Sequence, residues 1–159
     1  MSQLRDTVLV LAMTTMGLTA GLYAAFAYSV MPGLQRAGAQ SAIVSMQRIN
    51  VAIVNPLFAL IFVGAIVFGV LGAVLWWGDP LRWWLVAAAV LVIVPVLITM
   101  GVNVPLNNRL DAAGTVSATD APTVWADFVR PWVQWNIVRA GVSTAGFVVL
   151  IVGLLQTRD

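Results

Sequence analysis

VAIVNPLFALIFVGAIVFGVLGAVLWWGDPLRWWLVAAAVLVIVPVLITMGV, residues 51–102, is two long apolar runs joined by the turn Gly78-Asp79-Pro80. Between its ends only Asp79 and Arg82 carry charge. A bilayer core about 30 Å thick needs roughly 20 apolar residues per helix, and each run meets that length. Trp76, Trp77, Trp83 and Trp84 flank the turn. Paired tryptophans at the end of an apolar run are the mark of a membrane interface. All four are expected to be interfacial anchors around a tight helical hairpin.

Two further stretches extend the pattern outward, Val8 to Val30 before this segment and Ala140 to Leu155 after it. The whole chain of 159 residues is 61% hydrophobic and 9% charged, far from a soluble domain. The expected spans are about 8–30, 51–77, 81–102 and 137–155 in one four-span domain. The first is read as a retained transmembrane helix, because it runs past 20 residues and its leading charge Arg5 is offset by Asp6. Met31-Pro32-Gly33 is expected to stop it. It carries Gly17 and Gly21, a spacing that permits close helix approach in lipid, with Thr15 and Thr19 near the same face.

The second helix is expected to start near Ser41 and run to Trp77, roughly 55 Å at 1.5 Å per residue, with a kink at Pro56. Residues 105–120 read as the longest non-helical connection. The last helix is expected to start at Pro122, with Asp120 as its cap, and to reach Leu155. The predicted architecture is all-α: an integral membrane four-helix up-and-down bundle, with two helices extended beyond the bilayer on one side. The termini and the hairpin share the other face. That hairpin face carries Arg5, Arg82 and Arg158, and the extended face Arg36, Arg48, Arg109, Arg130 and Arg139. Counting arginines puts the extended face in the cytoplasm, and the setting expected is a bacterial plasma membrane.

The chain has no His and no Cys. That removes disulfides, thiolate chemistry, the commonest metal ligand and the usual acid–base switch. No metal and no cofactor is expected. The eight arginines are scattered beside membrane segments, so no nucleic acid is expected as a partner. Membrane lipid is, together with a hydrophobic aromatic ligand, a second copy of the chain or a partner in a membrane complex.

Lipid does not account for the amides. Gln47, Asn50 and Asn55 precede or open the second span, and Asn103, Asn107, Asn108 and Arg109 follow the third. Asn136 and Arg139 precede the fourth, after Trp125, Trp132 and Trp135. In a four-span bundle all of these fall near one membrane depth. Amides there cap helix ends and bond helices together, or they line a pocket. The tryptophans are either interfacial packing or the wall of a site for a flat ring. Arg139 lies about 24 Å from the end of the last span. It either snorkels outward or turns inward to serve a polar site. Asp111, Asp120 and Asp127 are the acids on that face.

Five pieces in order, GLTAGLYAAFAYSVMPGL at 17–34, MQRIN at 46–50, NPLF at 55–58, NVPLNNRL at 103–110 and the tryptophan pattern ending in NIVR at 136–139, resemble the anthrone oxygenase-like membrane family. Many of its members go by the label of a domain of unknown function. Fungal members are associated with oxidising an anthrone to an anthraquinone with dioxygen. The resemblance implies a cofactor-independent oxygenase-like membrane protein acting on an anthrone- or quinol-like substrate. The alternative is a non-enzymatic accessory subunit or lipid- or quinone-binding protein. Arg139, Asn136, Asn55 and Asn103 are the candidate catalytic groups. Gln47, Asn50, Asn107, Asn108, Arg109, Trp125, Trp132 and Trp135 are candidates for binding the substrate.

Overall fold

A computed structural model describes residues 2–157. Arg158, counted above with the hairpin face, lies outside them. The described chain is all helix and loop. In order it has α1 (Ser2–Ala25), a π turn (Phe26–Val30), α2 (Met31–Arg36), α3 (Ala39–Ala52) and α4 (Pro56–Leu75). There follow α5 (Arg82–Ile98), a second π turn (Thr99–Asn103), α6 (Val104–Ala112) and α7 (Ala121–Gln156). Four continuous rods are long and apolar enough to cross a membrane: Gln3–Arg36, Pro56–Leu75, Arg82–Ala112 and Ala121–Gln156. The protein is an integral membrane protein of the four-helix bundle type. α1 packs on α4 and α7, and α5 packs on the same two, which closes an up-and-down ring.

The first rod does not stop at Met31-Pro32-Gly33. Met31 N–H bonds Phe26 O, five residues back, and Pro32 follows in the next position. In an α-helix the proline ring would strike the carbonyl four residues back. The wider π turn relieves that clash and lets the helix pass. The same device recurs where Val104 N–H bonds Thr99 O and Pro105 follows. The third rod therefore continues to Ala112, eight residues into the stretch expected as loop. Glycines in the left-handed region make the actual ends: Gly38 with φ 84 after α2 and Gly114 with φ 59 after α6.

The second helix is not continuous either. It breaks at residues 53–55, where Asn55 adopts φ −135 and ψ 165. A residue before proline is pushed out of the helical region, asparagine is a strong N-cap, and Pro56 fits the first helical turn. Together they restart the helix instead of kinking it. α4 then spans 20 residues, about 30 Å, the thickness of the hydrocarbon core. At α7, Asp120 sits in the cap position without a capping bond. Its carboxylate takes the Ser117 hydroxyl at 2.7 Å instead.

Two apolar cores result. One fills the bundle around Met16, Ala65, Leu85 and Leu150. Gly153 of α7 allows close approach there, since a Cβ would sit 2.4 Å from Trp84 Cβ. Of the GxxxG pair, Gly17 faces Phe147 of α7 and Gly21 faces open space. The second core lies beyond the bundle on the extended face, where Met31, Ile43, Met46, Leu110, Trp125 and Phe128 pack together. That face thus carries a helical cap made by α2, α3, α6 and the start of α7. At the opposite end only two of the four hairpin tryptophans face out, Trp77 and Trp83, with Arg82 over both rings. Trp76 is buried beneath Arg5, and Trp84 backs onto Gly153. The Arg5–Trp76 contact sets the N-terminal end beside the hairpin.

Candidate functional site

The buried face of α7 runs Trp125, Phe128, Trp132, Asn136, Arg139, Ser143, Gly146, Leu150 and Gly153. These are steps of three and four, one stripe of a helix. Polar residues occupy its middle, where the bundle meets the cap. There the stripe borders a cavity of about 200 Å³ between α1, the α3–α4 break, the second π turn and α7.

Arg139 points inward, with 5% of its surface exposed. Nη1 donates to Thr99 Oγ1 at 2.9 Å, and Nη2 donates to Asn136 Oδ1 at 2.9 Å. Its guanidinium stands over the Tyr23 ring at 4.5 Å and the Trp132 ring at 5.4 Å. Thr99 donates its own proton to Pro95 O at 2.7 Å. The Tyr23 hydroxyl, 3.3 Å from Thr99 Oγ1, must therefore be the donor in that pair, since a hydroxyl has one proton to give. Asn136 Nδ2 donates to Tyr23 O at 3.0 Å, which ties α7 to α1.

Asn103 and Trp132 link the second π turn to α7. Asn103 Nδ2 donates to Trp132 O at 3.3 Å, and Trp132 Nε1 donates to Asn107 Oδ1 at 2.8 Å. A main-chain carbonyl only accepts, so the Asn103 amide orientation is set and its Oδ1 has no protein partner. Arg139 Nε and the Ser143 hydroxyl, one turn further along α7, also lack one.

Six of the twelve residues singled out from sequence line this cavity: Arg139, Asn136, Asn103, Asn107, Asn50 and Trp132. The others lie elsewhere. Asn55 is exposed and caps α4, accepting from Phe58 N–H at 3.0 Å and donating to Ala52 O at 2.9 Å. Gln47 clamps α3 to the end of α6 through Leu110 O and Gly114 O. Asn108 is exposed. Arg109 borders a separate shallow cleft with Asp127. Trp125 is buried in the cap core beside Phe128. Trp135 points away from the stripe, 41% exposed, because a period of 3.6 carries the face from Trp132 to Asn136.

Tyr23 and Thr99 were not singled out from sequence, yet they complete the polar end. A signal existed for both. Thr15, Thr19 and Tyr23 recur every four residues in an apolar helix, and all three are buried. Thr99 is the lone uncharged polar side chain in the run 81–102. The rest of the wall is apolar, with Phe26, Met46, Phe58 and Phe62 prominent. Val54 and Met100 also line the cavity while facing outward, 78% and 62% exposed, so its mouth opens sideways where α4 begins.

A family model described as anthrone oxygenase matches residues 46–149. The chain belongs to the anthrone oxygenase family. The match covers more than half of the chain and contains every lining residue except those of the first rod, Leu22, Tyr23 and Phe26. No curated protein and no solved structure matches this anthrone oxygenase family member.

Proposed function

We propose that this protein is a cofactor-independent oxygenase of a hydrophobic, anthrone-like aromatic, working in the bacterial plasma membrane. The observation that carries the reading is a cavity with aromatic walls and one buried arginine at its polar end, in a member of this family. An apolar cavity of about 150 Å³ holds benzene. One of about 200 Å³ takes one or two fused rings, with a further ring at the mouth between Val54 and Met100. Substrate and dioxygen both concentrate in lipid, and the sideways mouth suits entry from there.

An anthrone CH2 group that has lost a proton is an enolate. That enolate passes an electron to dioxygen, and the two radicals join as a peroxide at the same carbon. After protonation the hydroperoxide loses water, taking the second C–H proton. The balance is one anthrone and one dioxygen to one anthraquinone and one water. Arg139 stabilises the negative charge on the enolate oxygen. Asn136 orients that arginine, and Asn103 Oδ1 accepts from a phenol O–H of the substrate. Arg109, in its separate cleft, has no part in this arrangement.

The test is dioxygen consumption with anthrone by the full-length protein in nanodiscs, read with an oxygen electrode alongside anthraquinone absorbance. The expected result is one dioxygen per anthraquinone, at a rate at least 100-fold above empty nanodiscs and reduced on the order of 100-fold in Arg139→Gln. A rate equal to that of empty nanodiscs overturns the oxygenase reading. Tight binding of anthrone without turnover replaces it with that of a lipid- or quinone-type carrier.

A further inference from the structure

We infer that the cavity takes its ligand already ionised, as an aromatic oxygen anion, and that Arg139 is the receptor for that charge. The inference deepens the proposed function and shares its premise that the cavity is a ligand site. It adds the ionisation state of the ligand and the source of selectivity.

The argument begins from what surrounds the guanidinium. Arg139 is buried, and its hydrogen bonds go to the neutral groups Thr99 and Asn136. Tyr23 and Trp132 present ring faces to it. Such contacts attract a cation without neutralising it. Among the described residues no carboxylate lines the cavity. Asp79 turns the hairpin by accepting from Leu81 N–H, Asp111 is 3.5 Å from the Asn50 amide, Asp120 holds Ser117, and Asp127 borders the other cleft. A charge taken out of water without a partner is costly, and a matched opposite charge removes much of that cost. The lining thus supplies no negative charge to balance the guanidinium, and an anionic ligand does. Arginine offers five N–H donors. Thr99 and Asn136 use two, and Nε has no protein partner.

The same surroundings say what the protein lacks. Among the described residues no carboxylate lines the cavity, and the chain has no histidine, so neither takes a proton from a bound neutral phenol or CH acid. A ligand that ionises before or during entry needs no such group. Arg139 then selects the anion over its neutral form by charge. Phe26, Phe58, Phe62, Tyr23 and Trp132 around the same space favour an aromatic anion over the carboxylate or phosphate of a lipid.

Isosteric pairs that differ in charge test this, first in the wild-type protein and then in variants of Arg139. The probes are 2-naphthoate against 2-naphthamide and decanoate against decanamide. They are titrated by calorimetry at pH 7 into the full-length protein in a non-ionic detergent. Naphthoate should bind at least ten-fold tighter than naphthamide, and tighter than decanoate. In Arg139→Gln the naphthoate preference should collapse to within two-fold, while Arg139→Lys keeps part of it. Equal affinity for the two naphthalene probes in the wild-type protein overturns the proposal, as does an unchanged preference in a folded Arg139→Gln protein. Decanoate binding tighter than naphthoate overturns the aromatic assignment. The anion preference without oxygen uptake leaves this inference standing and removes the oxygenase reading. Anthrone turnover with no anion preference does the reverse.

Discussion

At the scale of single residues, Asn136 holds the polar end of the cavity together. Its amide donates to a main-chain carbonyl of α1 and accepts from Arg139. Removing it takes the side-chain donor from the Tyr23 carbonyl and leaves one arginine donor without its acceptor in a buried setting. Such losses cost about 1–3 kcal/mol for each group. Asn136→Ala should therefore lower stability by about 2–4 kcal/mol, read from denaturant titration in detergent micelles. A cost below about 0.5 kcal/mol would mean that the two helices do not depend on this bond. The sequence showed that Asn136 and Arg139 share a helix face. It left open whether Arg139 turns in or out, because that depends on Tyr23 and Thr99, which approach from two other helices.

At the scale of elements, the breaks decide which amides meet. Gln47, Asn50 and Asn55 share a face only if one helix carries all three. The restart at Asn55 ends that phase, so Asn50 stays at the cavity while Asn55 becomes a cap. Asn55→Ala should cost about 1 kcal/mol, and Asn55→Ser, which keeps a capping oxygen, much less. Equal losses from the two, in the same denaturant titration, would exclude the capping role. The π turns act likewise. Each inserts about one extra residue into its turn and rotates everything beyond it by roughly 100°. The pairing of a π turn with the proline that follows is recognisable once seen, at Pro32 and at Pro105. Read from sequence, each proline predicts a helix end, because nothing local reports the widened turn before it.

For the whole molecule, the two ends differ. The hairpin end carries Arg5 and Arg82, and the cap carries Arg36, Arg48, Arg109 and Arg130, with Arg139 withdrawn into the cavity. The arginine excess predicts a cytoplasmic cap. The chain contains no cysteine, so single cysteines at Gly78 and at Ala118 can be labelled in intact cells with an impermeant maleimide. Labelling of Gly78→Cys without labelling of Ala118→Cys is the expected outcome, and the reverse pattern inverts the topology. Four spans, their up-and-down order and the placing of polar groups at one end were legible in the chain alone. Apolar length, tryptophan position and charge count are properties of a linear string, and lipid imposes them span by span. The convergence of six amide, arginine and tryptophan side chains on one cavity, and the inward turn of Arg139, were not legible. Those depend on rotational phase between helices far apart in sequence, and a capped break and two π turns reset that phase where no local pattern records it.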